Sequence, residues 1–558
     1  MRSVLFLLVS TVAATSAGAQ LPAADLIVRN ARIYTVDQSR PFVDAMAVKD
    51  GKIVFVGPER QALNYKGAAT KVIDAEGHTV IPGMIDAHAH LSGLGQALQI
   101  VDLVGTTSYD AVIAKVVAKA LTVPAGAWIT GRGWDQNDWA DTRFPTHEAL
   151  SKAVPDHPVF LERVDGHAGL VNAAAMRAAS IGAASQDTRG GKLERNADGS
   201  PTGVLVDDAM ALVERVIPPR TTDDMRRGTR AAIAEVNRWG LTSVHDAGVS
   251  LAELAIYEDM ARSPDYSLRH YIMIQPDDSS LATFFRRGPQ RGIDNGRLWI
   301  TSIKALADGA LGSRGAALLE PYTDDPKATG LIRVSPERLL DVATRALRHG
   351  FQVNTHAIGD RGNRMVLDAY EKALATVPTG DHRFRIEHAQ IIHSDDIPRF
   401  AQLGVIPAMQ SSHQTSDMYW AGNRLGQSRL LGSYAWRSLL NTGVIIANGS
   451  DFPVELVNPL ISFHAAFSRQ DAKNWPVGGW LPQEKMTRDE ALKSMTIWAA
   501  YAGFMEKDVG SLEPGKLADF VILDQDIMQI PAELVLSTTV LATYVGGRAV
   551  YTGVRTQP

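Results

Sequence analysis

Eight short apolar runs, most of them separated by helical text, set the strongest constraint on what this chain can fold into. They are TVIPGMIDAHAH, GLTSVHDAG, SLRHYIMI, LWITSIKALADG, FQVNTHAIGD, FRIEHAQ, GVIPAMQ and GVIIANGSD. Stretches such as TDDMRRGTRAAIAEVNRWG, SPERLLDVATRALRHG and NRMVLDAYEKALATV carry helical periodicity between them. Strands alternating with helices build parallel βαβ units, and eight such units predict a (β/α)8 TIM barrel of the α/β class. The first two runs lie much further apart than one helix needs. An insertion over roughly residues 100 to 220 is expected after the first strand.

The ends of the chain read differently. Residues 20–80 hold short Val- and Ile-rich segments with Gly, Asn and Asp at the breaks, including an Asp50-Gly51 hairpin turn. Residues 501–558 return to that style in GSLEPGKLADFVILD and TYVGGRAVYTG. One small β-sandwich assembled from both termini is predicted, with the barrel, residues 81–500, inserted between its halves. Pro82 and Gly83 mark the passage from one to the other.

Composition narrows the chemistry. The chain has no cysteine, so disulfides, thiolate metal ligands and a cysteine nucleophile are excluded. A net charge of -5 argues against nucleic-acid or acidic-membrane partners. Residues 1–19 read as a secretory signal: Arg2, the apolar run VLFLLVSTVAA and the small-residue site AGA at Ala17 to Ala19. A secreted or periplasmic mature chain starting at Gln20 is expected, with no membrane partner once the signal is cleaved. The expected partner is a small-molecule substrate, and a homodimer is left open.

Polar residues collect where the predicted strands end, the face on which TIM barrels build their sites. His88 and His90 end strand 1, Lys304 lies on strand 4, His356 ends strand 5, His388 ends strand 6 and Asp451 ends strand 8. Each alone reads as an ordinary satisfied polar residue. Together they differ, because residues two apart on a strand share a side and the other strand ends bring their groups to the same rim. Converging imidazoles and a carboxylate describe a site for Zn²⁺ or a similar divalent ion.

The segments PGMIDAHAHL, NTHAIGD, RIEHAQ and GSDFPV, with Lys304, resemble the amidohydrolase superfamily. GRGWDQNDW, DGHAGLVN and IKALADGALGSRGAAL are similar to its amidohydrolase-3 branch, which includes N-substituted formamide deformylases and YtcJ-like hydrolases. The resemblance runs from about Asp25 to Gly553. It implies that His88, His90 and Asp451 bind one metal and His356 and His388 a second. It further implies that Lys304, carboxylated on its side-chain nitrogen, bridges the two. One or two ions are compatible with the superfamily, and the binuclear arrangement is favoured here.

The implied activity is hydrolysis of a non-peptide carbon–nitrogen (amide) bond in a small, aromatic or other, N-acyl or N-formyl compound. Metal-activated hydroxide would attack, with Asp451 as general base and acid. His167 is a candidate to steady the oxyanion. Trp134, Trp139, Arg314, Gln410, His413 and Trp420 are candidate substrate contacts, with Tyr419 and Trp480 near the same rim. Two other readings stay open. One is a deaminase, cyclic-amide hydrolase or esterase on the same metals; the other is a non-catalytic exported binding or regulatory protein.

Overall fold

In the computed structural model, residues 21–377 and 379–553 are described. The signal read in residues 1–19 lies outside them. Eight parallel strands form the central sheet: β1 (Met84–Ala89), β2 (Leu241–Val249), β3 (Arg269–Ile274), β4 (Leu298–Leu306), β5 (Gln352–Ala357), β6 (Arg385–His388), β7 (Ile406–Gln410) and β8 (Ala447–Gly449). They pair in sequence order from β1 to β8. Behind the last strand the chain turns back onto the first. Asp451 N donates to His88 O at 2.7 Å, and His90 N donates to Phe452 O at 2.9 Å. The molecule is a (β/α)8 barrel carrying extra sheets.

Alternation along the strands sorts side chains into two cores. Ile85, Ala87, Ala247, Tyr271, Met273, Trp299, Ile406 and Ala408 form one buried cluster. Val244, Ile272, Ile300, Val353 and Ile386 join another, which includes the helices outside. Helix Pro336–Arg348 shows why the helical text folds as it does. Ser335 caps its N-terminus, a proline occupies its first turn, and Leu339, Val342, Ala343 and Ala346 bury one face. Helix Thr222–Arg238 begins with a capping box between Thr221 and Asp224.

Residues 101–207 contribute a separate six-stranded sheet between β1 and β2. Its two faces bury different sets, Leu161 and Leu170 with Trp134 on one, Phe160 and Val171 with Leu205 on the other. The two ends of the chain share a third region. A four-stranded sheet comes from residues 26–74 alone. A six-stranded one joins 548–552, 540–545 and 520–523 to 79–82, 32–34 and 42–43. Leu26, Val28, Met46 and Val48 pack with Phe520, Ile522 and Tyr544 between them. At the junction with β1, a Cβ on Gly83 would lie 2.1 Å from Thr242 Oγ1, so only glycine fits that approach. Among the described residues no helix is long and apolar enough to cross a membrane.

Candidate metal centre

The strand ends bring the six expected ligands together, with His88, Lys304, His388 and Asp451 buried and the side chains of His90 and His356 partly exposed, at 40% and 14%. One ligand atom from each of His88, His388 and Asp451 lies within 4.8 Å of the other two. Lys304 Nζ stands 3.1 Å from His88 Nε2. His90 Nε2 is 3.1 Å and His88 Nε2 3.7 Å from Asp451 Oδ1. The His388 ring lies 4.7 Å from that of His88 and 4.5 Å from that of His356. The tightest set thus takes His388 from one expected metal and His88 and Asp451 from the other.

Backbone conformation aims two of these groups. His388 and Asp451 both adopt positive φ, 75° and 64°, a region non-glycine residues enter only when their surroundings hold them there. At the seam, Asp86 accepts from His88 N at 3.1 Å, and from Ser450 N at 3.0 Å and Ser450 Oγ at 2.6 Å. It ties β1 to the turn that presents Asp451.

A further set of residues orients the ligands, and the sequence reading passed over most of it. Glu387 Oε2 bonds His88 Nδ1. Ala247 O, 3.0 Å from His90 Nδ1, fixes that ring. Gln410 Oε1 lies 2.7 Å from His388 Nδ1. Asp246 accepts from Leu91 N at 2.9 Å and pairs with His270 Nε2 at 3.1 Å. Asp308, 3.4 Å from His356 Nε2, also accepts from Ile358 N at 2.9 Å and Gly359 N at 2.8 Å. Metal-binding histidines commonly direct their second nitrogen to such acceptors.

Electrostatics follow from burial. Desolvation, with the nearby Lys304 charge, holds His88 well below the usual histidine range. Desolvation and the neighbouring His356 do the same to His388. Both rings are therefore neutral, as metal ligation requires. Burial pushes Lys304 down to about 8 and Asp86 up to about 7. Burial raises the Asp451 carboxyl too, but the surrounding histidines, His90 first, more than offset it and hold it well below the carboxylate range. The buried atoms His356 Nε2, His413 Nε2 and Asp451 Oδ1 have no aligned hydrogen bond. His413 Nε2, 3.7 Å from Asp451 Oδ2, sets an unsatisfied imidazole nitrogen against a carboxylate, a pairing that fits a divalent ion, whereas His356 Nε2 is turned toward Asp308.

Several expected substrate contacts belong elsewhere. Trp134 is fully buried in the insertion's own core and donates to Leu161 O at 2.8 Å. Trp139 donates to Thr106 O at 2.9 Å and stacks on Tyr109 at 6.0 Å. Both indoles serve the insertion's packing, which corrects their reading as pocket walls. Arg314 is fixed by two 3.1 Å bonds to Asp324, and Arg424 shares that carboxylate, so it pins its loop. Trp420 packs beside Gly312 in the same loop. Tyr419 stacks on Trp475 at 5.0 Å, and Trp480 lies 5.5 Å from Tyr434. Gln410 is a ligand-orienting group rather than a substrate contact. His413 does join the cluster: its Nε2 is 3.7 Å from Asp451 Oδ2 and its ring 5.8 Å from His388. His167 is not drawn into this network. Its side chain is 74% exposed on the insertion and bonds Asp207 at 2.8 Å, which raises its pKa.

A (β/α)8 barrel with this ligand cluster at its C-terminal rim defines a metal-dependent hydrolase. The chain belongs to the amidohydrolase family, whose Amidohydro_3 model matches residues 71–551. It is 35% identical to the protein LONG AFTER FAR-RED 3 of Arabidopsis thaliana, over 95% of this chain and 92% of that one. It is 32% identical to the putative amidohydrolase YtcJ of Bacillus subtilis, over 93% and 98%. To the N-substituted formamide deformylase of Arthrobacter pascens it is 29% identical, over 94% and 97%. An uncharacterized metal-dependent hydrolase from Pyrococcus furiosus superposes with a TM-score of 0.75 at 28% identity, covering 90% of this chain and all of that one.

Proposed function

We propose that this chain hydrolyses a carbon–nitrogen bond other than a peptide bond, in a small N-acyl or N-formyl compound, with zinc as its metal. The observation that carries this is the convergence of His88, His388 and Asp451 within 4.8 Å, beside Lys304 and the free nitrogen of His413. Likeness to a formamide deformylase along nearly the whole chain supports the bond class. A set of imidazole and carboxylate donors suits zinc.

His88, His388 and Asp451 would hold an ion, with His90, His356 and Lys304 placed to complete that site or a second one. Bound there, a divalent ion supplies Lewis acidity to a carbonyl and makes a water nucleophile available near neutral pH. The protein's own part is positional and protonic. Asp451 takes a proton from the attacking water on a carboxylate oxygen and delivers it to the leaving nitrogen, which cannot depart as an amide anion. Gln410 and Ala247 O keep His388 and His90 in the rotations that face the centre. With its pKa near 8, Lys304 is partly a neutral amine at neutral pH, the form that would add CO2 and release a proton to give a carbamate, an anionic ligand for the ion. The leader read in residues 1–19 supports export of the mature chain.

A turnover screen across N-formyl amines, N-acyl amines, lactams, esters and amino-heterocycles tests this, with Asp451→Asn as control. Zinc-dependent release of amine and acid from the open-chain amides is expected. Turnover confined to esters, lactams or amino-heterocycles, or full activity in Asp451→Asn, would overturn it.

A further inference from the structure

We infer that Arg385 is a positioning residue for the metal centre, acting through Glu387 on His88 from inside the barrel. This goes beyond the reaction proposed above and rests on its metal-site reading. The two strand residues face inward together, while Ile386 between them packs on the helix side. Arg385 Nε donates to Glu387 Oε1 at 2.8 Å and Nη2 to Glu387 Oε2 at 2.8 Å. The same Nη2 donates to Ala87 O at 2.6 Å, one residue before His88. Arg385 and Glu387 are completely buried.

The directions of these bonds fix protons. Arginine has no acceptor, so His245 Nδ1, 3.0 Å from Arg385 Nη1, must accept, and the His245 proton sits on Nε2. Glu387, gripped at both oxygens by the guanidinium fork, accepts from His88 Nδ1. The His88 lone pair is then on Nε2, the nitrogen facing Lys304 and Asp451. His245 is itself held in place: its ring lies 4.4 Å from that of Tyr271, and a Cβ on Gly503 would come within 3.0 Å of it. The chain of contacts therefore runs from the barrel's middle to one ligand nitrogen. It sets the tautomer and rotation of His88 whether or not an ion is bound.

Lysine cannot replace this arginine, because a single ammonium cannot grip both oxygens and reach Ala87 O with the same planar group. A purely structural ion pair would lower stability on substitution and leave the ligand alone. The test is zinc affinity by chelator competition, with the visible spectrum of the cobalt(II)-loaded protein, on wild type, Glu387→Gln, Arg385→Lys, Arg385→Met and the double variant Arg385→Met/Glu387→Gln. Loss of an orienting partner of a ligand histidine costs about 10- to 100-fold in metal affinity. That loss, with a shifted cobalt spectrum, is expected for Glu387→Gln and Arg385→Met, and the double variant is expected to be no weaker than Glu387→Gln alone. Arg385→Lys keeps the buried cation and so retains a folded protein for the comparison should Arg385→Met not fold; it too is expected to bind zinc more weakly. Unchanged zinc affinity and cobalt spectrum in folded Arg385→Lys would overturn the inference, as would independent, multiplying losses in the double variant. A wild type that binds no zinc at all would instead sink the metal-site reading.

Discussion

His90 Nε2 stands 3.1 Å from Asp451 Oδ1, across the seam where the barrel's last strand meets its first. The same seam carries the backbone bonds that close the barrel, Asp451 N to His88 O and His90 N to Phe452 O. Closing the barrel thus brings His88, His90 and Asp451 together.

Gly449 sits at that seam with no room for a side chain. A Cβ there would lie 2.5 Å from His88 N and 2.7 Å from Asp86 Oδ1. Gly449→Ala must push β8 away from β1. Overpacking of this kind costs about 1–3 kcal/mol, and it should also loosen zinc, because Asp451 moves with β8. Urea unfolding and chelator titration read both effects. A variant as stable and as metal-loaded as wild type would show that the seam tolerates the atom.

Trp134 is packed wholly within the insertion. Trp134→Ala is expected to destabilise the protein by about 3–5 kcal/mol, the usual cost of emptying a buried tryptophan site. In whatever fraction stays folded, KM should be unchanged. A raised KM with unaltered stability would restore this indole to the substrate pocket.

Acid should weaken one junction in a defined window. Glu490 accepts from Arg437 Nη1 at 2.9 Å and from Thr487 N at 2.7 Å. The Arg437 bond foremost draws its pKa from the ordinary 4.5 down to about 2. A folded-state value below the unfolded one means the ionised carboxylate favours folding. That contribution is complete above about 4.5 and fades as pH falls towards 2. Glu490→Gln should cost about 1 kcal/mol at pH 7, the scale of a partly exposed pair, and progressively less in acid. Urea midpoints across that range check the convergence; a constant gap would contradict it.

The barrel was legible because its strands are apolar runs bounded by turns, a pattern fixed by burial alone. The ligand-bearing strand ends were legible for the same reason. Two kinds of residue were not. In FRIEHAQ, alternation puts Arg385 and Glu387 on one side and His388 on the other. The positive φ at His388 breaks that alternation and brings the ligand in beside Glu387, which strand periodicity does not anticipate. In GRGWDQNDW, Trp134 and Trp139 read as candidate substrate contacts. Residues Ile129–Trp134 are a strand with an irregularity between Arg132 and Trp134 and a positive φ at Gly133, so Trp134 instead enters a core. Arg314 and Gln410 are polar residues near the rim, and only their partners, Asp324 and His388, show what they hold.

Elemental analysis of the purified, zinc-supplemented protein is the most direct test of a metal-dependent hydrolase built on His88, His388 and Asp451. At least one equivalent of tightly held zinc per chain is expected in wild type, with stoichiometric metal lost in His388→Ala that remains folded. A wild-type chain that is folded yet carries no stoichiometric metal, or a His388→Ala variant that retains all of it, would contradict the account.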